Sequence, residues 1–491
     1  MGYRPTIKIF NTLTRQKEDL VPQLEGEVGV YVCGPTVYSY VHLGNARTFT
    51  SFDLIVRYLR YSGYQVKFVR NFTDVDDKII QAAHQSGETP EHLADRFVQA
   101  FEEDAKSLRL TKPDASPRVT EHIDDILALI GKLIGSGIAY QAEGNVYFSV
   151  RQFPNYARLS RRPLDSTQEG EHVQLGEYKR DALDFALWKS AKPNEPRWDS
   201  PWGPGRPGWH IECSAMCMKF FGSTVDIHGG GVDLTFPHHD NEIAQSEAAS
   251  QRPFSRCWMH SGMLDLEGAK MSKSLGNVVG LRDALAQVDG EALRLFFLST
   301  HYRNPLTFAE KSLRDAEGRL EYYYETIARA RDRIAGIEQQ SPVSLDDNPG
   351  RFLSDFEAAM NDDFNSAAAM SAMAGLFNAL NEWLAKPPAQ GKVALQQTLR
   401  VLIDDARKMG VVLGVLNDAP KDWLERRRAR AVRERGIDTA EVERLLACRA
   451  QARGEKNFQS ADRCREELKQ LGIEIQDTPQ GTRWKVSSQF A

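Results

Sequence analysis

No stretch of the 491 residues approaches the ~18 consecutive apolar residues of a membrane span, and Met1 to Phe10 lacks the apolar core of a signal peptide. A cytoplasmic protein without a membrane partner is therefore expected. Cysteine is scarce. Six residues in so long a chain cannot build a disulfide scaffold, and in a reducing compartment they serve as packing residues, metal ligands or nucleophiles. Neither sign of charge dominates, with 62 Lys and Arg against 67 Asp and Glu for a net charge of −5. With 41% apolar and 26% charged residues, wholesale disorder is excluded as well. No internal repeat is evident. What the chain does have is length, enough for two to four domains with a large buried core.

The small net charge hides an asymmetry. Lys421 to Ala491 carries 16 Lys and Arg against 12 Asp and Glu, net +4, which leaves −9 on residues 1–420. A basic end on an acidic body fits a tail that meets a polyanion while the body handles something small; a solvated helical face fits the same count. The run Arg426, Arg427, Arg428, Arg430, Arg433, Arg435 suits either a basic helix or a linker.

Val28 to Cys33 is a β-branched and aromatic run halted by Gly34-Pro35, as a strand would be. After His42-Leu43-Gly44-Asn45, apolar residues at Phe49, Phe52, Val56 and Leu59 mark one helical face, which Gly63 ends. Val66 to Phe72 reads as a second strand. This β-loop-α-β unit opens a nucleotide-binding α/β domain with parallel strands, and ligands of such sheets sit at the carboxyl ends of the strands. Cys33, the His42 loop and Thr73-Asp74 are thus expected around one crevice. Ser190 to Gly208 holds five prolines and three glycines and reads as loop throughout. Its Gly203-Pro204-Gly205-Arg206-Pro207-Gly208 has G-x-G-x-x-G spacing, but two prolines remove backbone donors that a dinucleotide loop needs, and no strand is read before it. Beyond Thr307 the pattern is helical: Phe308 to Ile337, Phe352 to Leu384 and Val393 to Gly410. Asp438 to Val486 then reads as two basic helices around Cys448 and Cys464, followed by a short strand near Ile473.

Two short segments carry chemistry together. His42-Leu43-Gly44-Asn45 sits at a strand-to-helix turn, where an imidazole, a close-approach glycine and a helix N-terminus suit phosphate. Lys270-Met271-Ser272-Lys273-Ser274, flanked by Gly268 and Gly276, can close over a polyphosphate and offset charge on leaving pyrophosphate. Each alone is equally an ordinary helix start or a surface loop. As a pair, in this order, they resemble the HIGH and KMSKS signatures of class I aminoacyl-tRNA synthetases. Cys213, His238 and Glu242 are candidate metal ligands, His238 and Glu242 being i, i+4, and Cys33 can join them. Spacing alone does not select this set, because Cys217, His210, His228, His239 and Asp240 serve as well.

The blocks Ile9 to Arg15, Tyr31-Val32-Cys33-Gly34-Pro35-Thr36-Val37-Tyr38, Gly208-Trp209-His210-Ile211-Glu212-Cys213-Ser214, Asp226-Ile227-His228-Gly229-Gly230-Gly231 and Phe236-Pro237-His238-His239-Asp240-Asn241-Glu242 resemble the cysteinyl-tRNA synthetase family over essentially the whole chain, to Gly481-Thr482-Arg483-Trp484. The resemblance implies one Zn²⁺ held by Cys33, Cys213, His238 and Glu242, which binds the thiolate of L-cysteine. It places Thr73, Trp209 and His228 at the amino-acid pocket. It gives His42, Asn45, Lys270 and Lys273 catalytic roles, with Gly44 and Lys273 at ATP, and Mg²⁺ accompanies the nucleotide. Arg483 and Trp484 would offer tRNA(Cys) a cation and a stacking surface; Trp484 can equally be a core anchor. A monomer is expected.

The implied architecture is a Rossmann-like parallel-sheet catalytic domain with an α/β insertion, then a helical bundle and a small mixed unit. Its segments are 1–112 and 206–265 for the two catalytic halves, 113–205 for the insertion, 266–306 for the KMSKS loop and connection, 307–420 for the helical anticodon region and 421–491 for the basic terminal unit. One departure stands out: the fourth signature position, usually His, is Asn45, which donates a hydrogen bond but carries no proton charge. Competing readings are a cysteine ligase that uses an amino-sugar acceptor, which lacks the terminal unit, and a non-catalytic RNA-binding paralogue, which loses the signatures. A zinc hydrolase fits least, having no recognised spacing and no assigned base.

Overall fold

The computed structural model describes residues 5–163, 178–266, 269–270, 278–335, 348–385, 392–478 and 481–487. At its centre lies a four-stranded, all-parallel sheet of β1 (Glu27–Val32), β2 (Gln65–Arg70), β3 (Val225–Gly231) and β4 (Ser255–Ser261), in the order β4-β3-β1-β2. Alternate side chains leave opposite faces of a strand. Val30, Val32, Phe68 and Met259 enter one hydrophobic core, and Tyr31, Cys33, Val69 and Trp258 enter another. Burial on both faces is what a parallel sheet requires. Helix α1 (Leu43–Tyr61) covers the first face; α2 (Trp209–Phe221) and α3 (His238–Ser250) contribute to the second core. Close approach is built in at Gly229, where a Cβ would lie 2.1 Å from the Phe52 ring of α1.

Between β2 and α2 the chain makes helix Ile123–Gly135 and a four-stranded antiparallel sheet of Ala139–Ala142, Asn145–Phe148, Phe185–Ser190 and Gly205–Pro207. The stretch 190–208 is therefore not all loop. Arg206 and Pro207 pair with Lys189 and Trp188, on an edge strand where a proline is tolerated, and Gly208 then caps α2.

The C-terminal half is helical: Glu310–Ile334, Arg351–Asn361, Ser366–Ala385, Lys392–Leu413 and Pro420–Arg435. The single helix expected over 352–384 is broken at Asp363 and Phe364, both with positive φ. A tertiary contact overrides the local pattern there. The fully buried Asp363 carboxylate accepts from Phe10 N (2.9 Å), the Tyr302 hydroxyl (2.9 Å) and Arg303 Nε (2.8 Å).

The arginine run forms a helix, not a linker, and most of it is committed within the chain. Arg427 Nε is 2.8 Å from Glu317, Arg430 pairs with the same carboxylate, Arg426 with Asp418, and Trp423 stacks on Tyr324 at 4.7 Å. The helix beginning at Pro420 thus belongs to the bundle. Past it, helices Thr439–Gly454 and Phe458–Gln470 and the hairpin Ile473–Thr478/Gly481–Val486 share a small core centred, among the described residues, on Val442, Leu445, Leu468 and Ile473.

Candidate active site and metal centre

The crevice lies at the carboxyl end of the sheet, where β1 stops and the chain must turn. Cys33 follows β1 directly, its amide bonded to Gly229 O of β3 at 3.0 Å. His228 lies on β3, in register with Tyr31. Cys213 occupies the second turn of α2. The first turn of α3 supplies His238 and His239 and the start of its second turn Glu242, which helical spacing puts on one face.

Their donor atoms converge. Cys33 Sγ lies 3.4 Å from Glu242 Oε1, 3.7 Å from His238 Nε2 and 3.5 Å from His228 Nε2. Glu242 Oε1 is 3.1 Å from His238 Nε2 and 3.8 Å from His239 Nε2, and Oε2 is 3.3 Å from His228 Nε2. Two overlapping donor sets result, each within 4.8 Å: Cys33, Cys213, His238, Glu242 and Cys33, His228, His239, Glu242. The first brings together all four residues expected as zinc ligands. Of the others that spacing left open, His228 and His239 complete the second set, whereas Asp240 accepts from the Leu159 and Ser160 amides and Cys217 Sγ sits 3.9 Å from His228 Nδ1.

Such a set of donors cannot be buried without sharing charge. Burial pushes the Cys33 thiol well up, while the hydrogen bond with Cys33 brings the Cys213 thiol down to about 6 against burial and the Glu242 charge. Burial also opposes ionisation of Glu242 and His238, yet their partners win: His228 and then His238 hold the Glu242 carboxyl well below its ordinary value, and Glu242 with Cys213 raises His238 to about 10. Removing one charge would strand the other in a dry interior. His238 Nδ1 faces His210 Nδ1 at 2.9 Å, and Gln245 Nε2 donates to His210 O at 2.9 Å. This outer contact fixes the ring's orientation, as ligating histidines require. Sequence reasoning gave His210 no such part, because only the α2–α3 packing reveals it.

The expected pocket residues surround this cluster. The Trp209 ring lies 4.5 Å from that of His238, and Thr73 Oγ1 donates to the buried Glu212 at 3.3 Å. Glu212 itself went unnoticed in the sequence; burial, together with the Cys213 charge, holds its carboxyl well above the ordinary value.

His42 is the N-cap of α1. Its Nδ1 accepts from Asn45 N at 3.3 Å, and Asn45 Oδ1 accepts from His42 N at 3.5 Å, a reciprocal capping box. With Nδ1 accepting, the ring proton of neutral His42 must sit on Nε2, the tautomer that donates to an anion. Asn45 completes the box without any charge. Asn45→Ala is expected to cost about 0.5–1 kcal/mol of stability through the lost return bond of the box, measurable as a lower unfolding midpoint.

The described segments that flank the second signature are tied to the first by hydrogen bonds. Leu43 N donates to Val279 O and Leu281 N to Val41 O, both at 3.1 Å, and buried Arg47 of α1 holds the carbonyl of Gly262 at 3.0 Å, with Met263 and Asn304. Ala269–Lys270 pairs with Leu264–Leu266. Lys273 lies outside the described residues.

At the far end, Arg483 pairs with Asp332 at 2.9 Å. Trp484 donates to Glu443 at 3.3 Å beneath the Arg428 guanidinium, 4.8 Å from its ring centre, and packs on the small unit's core. Both residues have intramolecular partners, so the anchor reading of Trp484 has geometry behind it. No described helix is long and apolar enough to cross a membrane.

Comparison with known proteins now adds independent information. The family model "tRNA synthetases class I (C) catalytic domain" matches residues 19–318, "DALR domain" residues 355–417 and "Cysteinyl-tRNA ligase anticodon binding domain" residues 438–484. The cysteine–tRNA ligase of Anaeromyxobacter dehalogenans (strain 2CP-C) is 50% identical over 490 residues, covering 98% of this chain and 100% of the relative. That of Geobacter metallireducens (strain ATCC 53774 / DSM 7210 / GS-15) is 45% identical over 485 residues, covering 98% and 100%. The methionyl-tRNA synthetase of Mycobacterium tuberculosis in complex with methionyl-adenylate shares the fold, with TM-score 0.61 at 14% identity over 81% of this chain and 92% of that one. With matching catalytic, helical and anticodon-binding domains in this order, the chain belongs to the cysteinyl-tRNA synthetase family and is a class I ligase that charges tRNA with cysteine.

Proposed function

We propose that the chain ligates L-cysteine to tRNA(Cys) in two steps in the cytoplasm, through cysteinyl-adenylate, with zinc as its specificity device. The observation that carries this reading is the convergence of Cys33, Cys213, His238 and Glu242 within 4.8 Å. Two sulfurs, an imidazole and a carboxylate suit Zn²⁺. The overlapping set offers one sulfur only, with His228 and His239 in place of Cys213 and His238. Bound there, the metal supplies a soft acid that favours a thiolate over a hydroxyl. Trp209 and Thr73 then wall the amino-acid pocket, with His228 beside them.

For activation, the cysteine carboxylate attacks the α-phosphate of Mg²⁺-bound ATP, and pyrophosphate leaves. His42 Nε2–H, the α1 N-terminus and the close approach at Gly44 steady the phosphates, while Lys270 and Lys273 offset the charge of the leaving pyrophosphate. No covalent enzyme intermediate is needed, so positioning and charge carry the step. A terminal ribose hydroxyl of tRNA then attacks the acyl carbon, giving up its proton, and AMP leaves. Asn45→His is expected to stay active, whereas His42→Ala loses most adenylate formation and keeps its zinc; a fully active His42→Ala enzyme would contradict the phosphate role.

The test of the whole reading is charging with labelled cysteine, ATP and tRNA(Cys). Label is expected on the tRNA, and transfer to an amino sugar instead would overturn it. Deleting residues 437–491 should weaken tRNA binding and leave adenylate formation intact. That cut spares the helix ending at Arg435, whose Trp423 is buried in the bundle. Unchanged tRNA affinity would show that the terminal unit does not hold tRNA.

A further inference from the structure

Four of the six cysteines lie in the catalytic body and are buried: Cys33, Cys213, Cys217 and Cys257. The other two face each other in the terminal unit. Cys448 lies on helix Thr439–Gly454 and Cys464 on helix Phe458–Gln470, with sulfurs 2.8 Å apart. A disulfide needs ~2.05 Å, so closure asks for a shift of less than about 1 Å. The two differ in access: Cys448 is exposed, alone among the six, whereas Cys464 is buried. Burial, the hydrogen bond with Cys448 and the Glu467 charge hold the Cys464 thiol up at about 11, so the exposed Cys448 is the sulfur placed to react first.

We propose that Cys448 and Cys464 form a reversible redox staple, in which low-molecular-weight disulfides oxidise the pair and low-molecular-weight thiols reduce it. Cys448, as thiolate, attacks one sulfur of the small disulfide and releases one small thiolate, leaving a mixed disulfide at position 448. Cys464 then gives its proton to solvent, and its sulfur attacks Cys448 Sγ and expels the second small thiolate. Two protein thiols and one small disulfide become one protein disulfide and two small thiols, so atoms and electrons balance.

The staple acts where the fold has least to hold it. The unit's small core centres on Val442, Leu445, Leu468 and Ile473, and Cys448's helix also carries its links to the hairpin: Arg449 pairs with Asp477 at 2.7 Å and Glu443 accepts from Trp484. Closing a loop across 16 positions removes freedom from the opened state, expected to slow local opening of both helices roughly 100-fold.

The experiment treats the zinc-loaded, full-length protein with oxidised glutathione. A protein lighter by two hydrogens is expected, with a peptide pair joined through Cys448 and Cys464, and amide hydrogen exchange in both helices should slow as stated. Cys464→Ser should instead trap a glutathione adduct at Cys448, and Cys448→Ser should give no product in this unit. The proposal is overturned if the wild-type protein keeps a lasting adduct at Cys448 with Cys464 free, if neither cysteine reacts, or if the joined helices exchange no more slowly.

Discussion

Cys213→Ser is expected to lower cysteine-dependent ATP–pyrophosphate exchange more than about 100-fold, beyond the ~10–100-fold that loss of an outer-shell partner costs a metal site. Serine keeps the side chain's length but not a sulfur that ionises near neutral pH. Cys213 is the sulfur that its hydrogen bond with Cys33 brings down to about 6. Without it, three of the four proposed donors remain on Cys33, His238 and Glu242, and bound zinc per chain should fall with the activity. The fold should survive, since one atom changes in a side chain already surrounded by polar partners. Elemental analysis and exchange rates on the same preparation check both halves. A variant that keeps a full equivalent of zinc and wild-type exchange contradicts the ligand assignment.

The largest stability effect is expected away from the chemistry, at Arg294. Its side chain is fully buried, Nη2 lies 2.6 Å from Asp53 Oδ2, and the guanidinium donates to Leu413 O at 2.9 Å and Leu108 O at 3.1 Å. It thereby ties α1 of the catalytic domain to the helical bundle. Gly414 is shaped around it: a Cβ there would lie 2.4 Å from the guanidinium, at φ +71°. Arg294→Met leaves Asp53 buried with only Arg57 as a charged partner and should cost about 3–5 kcal/mol, the usual penalty for an orphaned buried charge. Adding Asp53→Asn should recover part of that loss.

Acid gives a second check. Burial favours the neutral form of Asp53, but Arg294, Arg57 and the Thr111 amide outweigh it and hold the carboxyl below its ordinary value. A folded-state value below the unfolded one means that the contribution is fully present above about pH 4 and is lost as pH falls through the folded value. The gap between wild type and Arg294→Met should therefore narrow in acid. Denaturant midpoints across pH measure it, and a variant within 1 kcal/mol of wild type at pH 7 would contradict the argument.

What the sequence made legible was what local periodicity encodes. Val28 to Cys33, the apolar face from Phe49 to Leu59 and the strand near Val66 are continuous signals, and β1, α1 and β2 formed on them. The break at Asp363 was not legible, because a carboxylate that bonds Phe10, Tyr302 and Arg303 acts across more than 350 positions at its longest reach. Nor could spacing choose among nine candidate donors. Cys33, Cys213 and the α3 pair are far apart in sequence and meet only when β1 lies beside β3 and α2 against α3. The family resemblance selected four donors, and those four converge, but His228 and His239 stand close enough to form a second set that no motif foretold. The arginine run shows the limit of counting charge: Glu317 and Asp418 take up several of its guanidinium groups.

The zinc–thiolate account is tested most directly by ATP–pyrophosphate exchange on the zinc-loaded enzyme, with cysteine and serine as alternative substrates. Shape alone separates such isosteres by only ~100-fold, so preference for cysteine should exceed that by a wide margin and collapse when the zinc is removed. Exchange with serine within about 100-fold of cysteine, or selectivity unchanged after zinc removal, would contradict it.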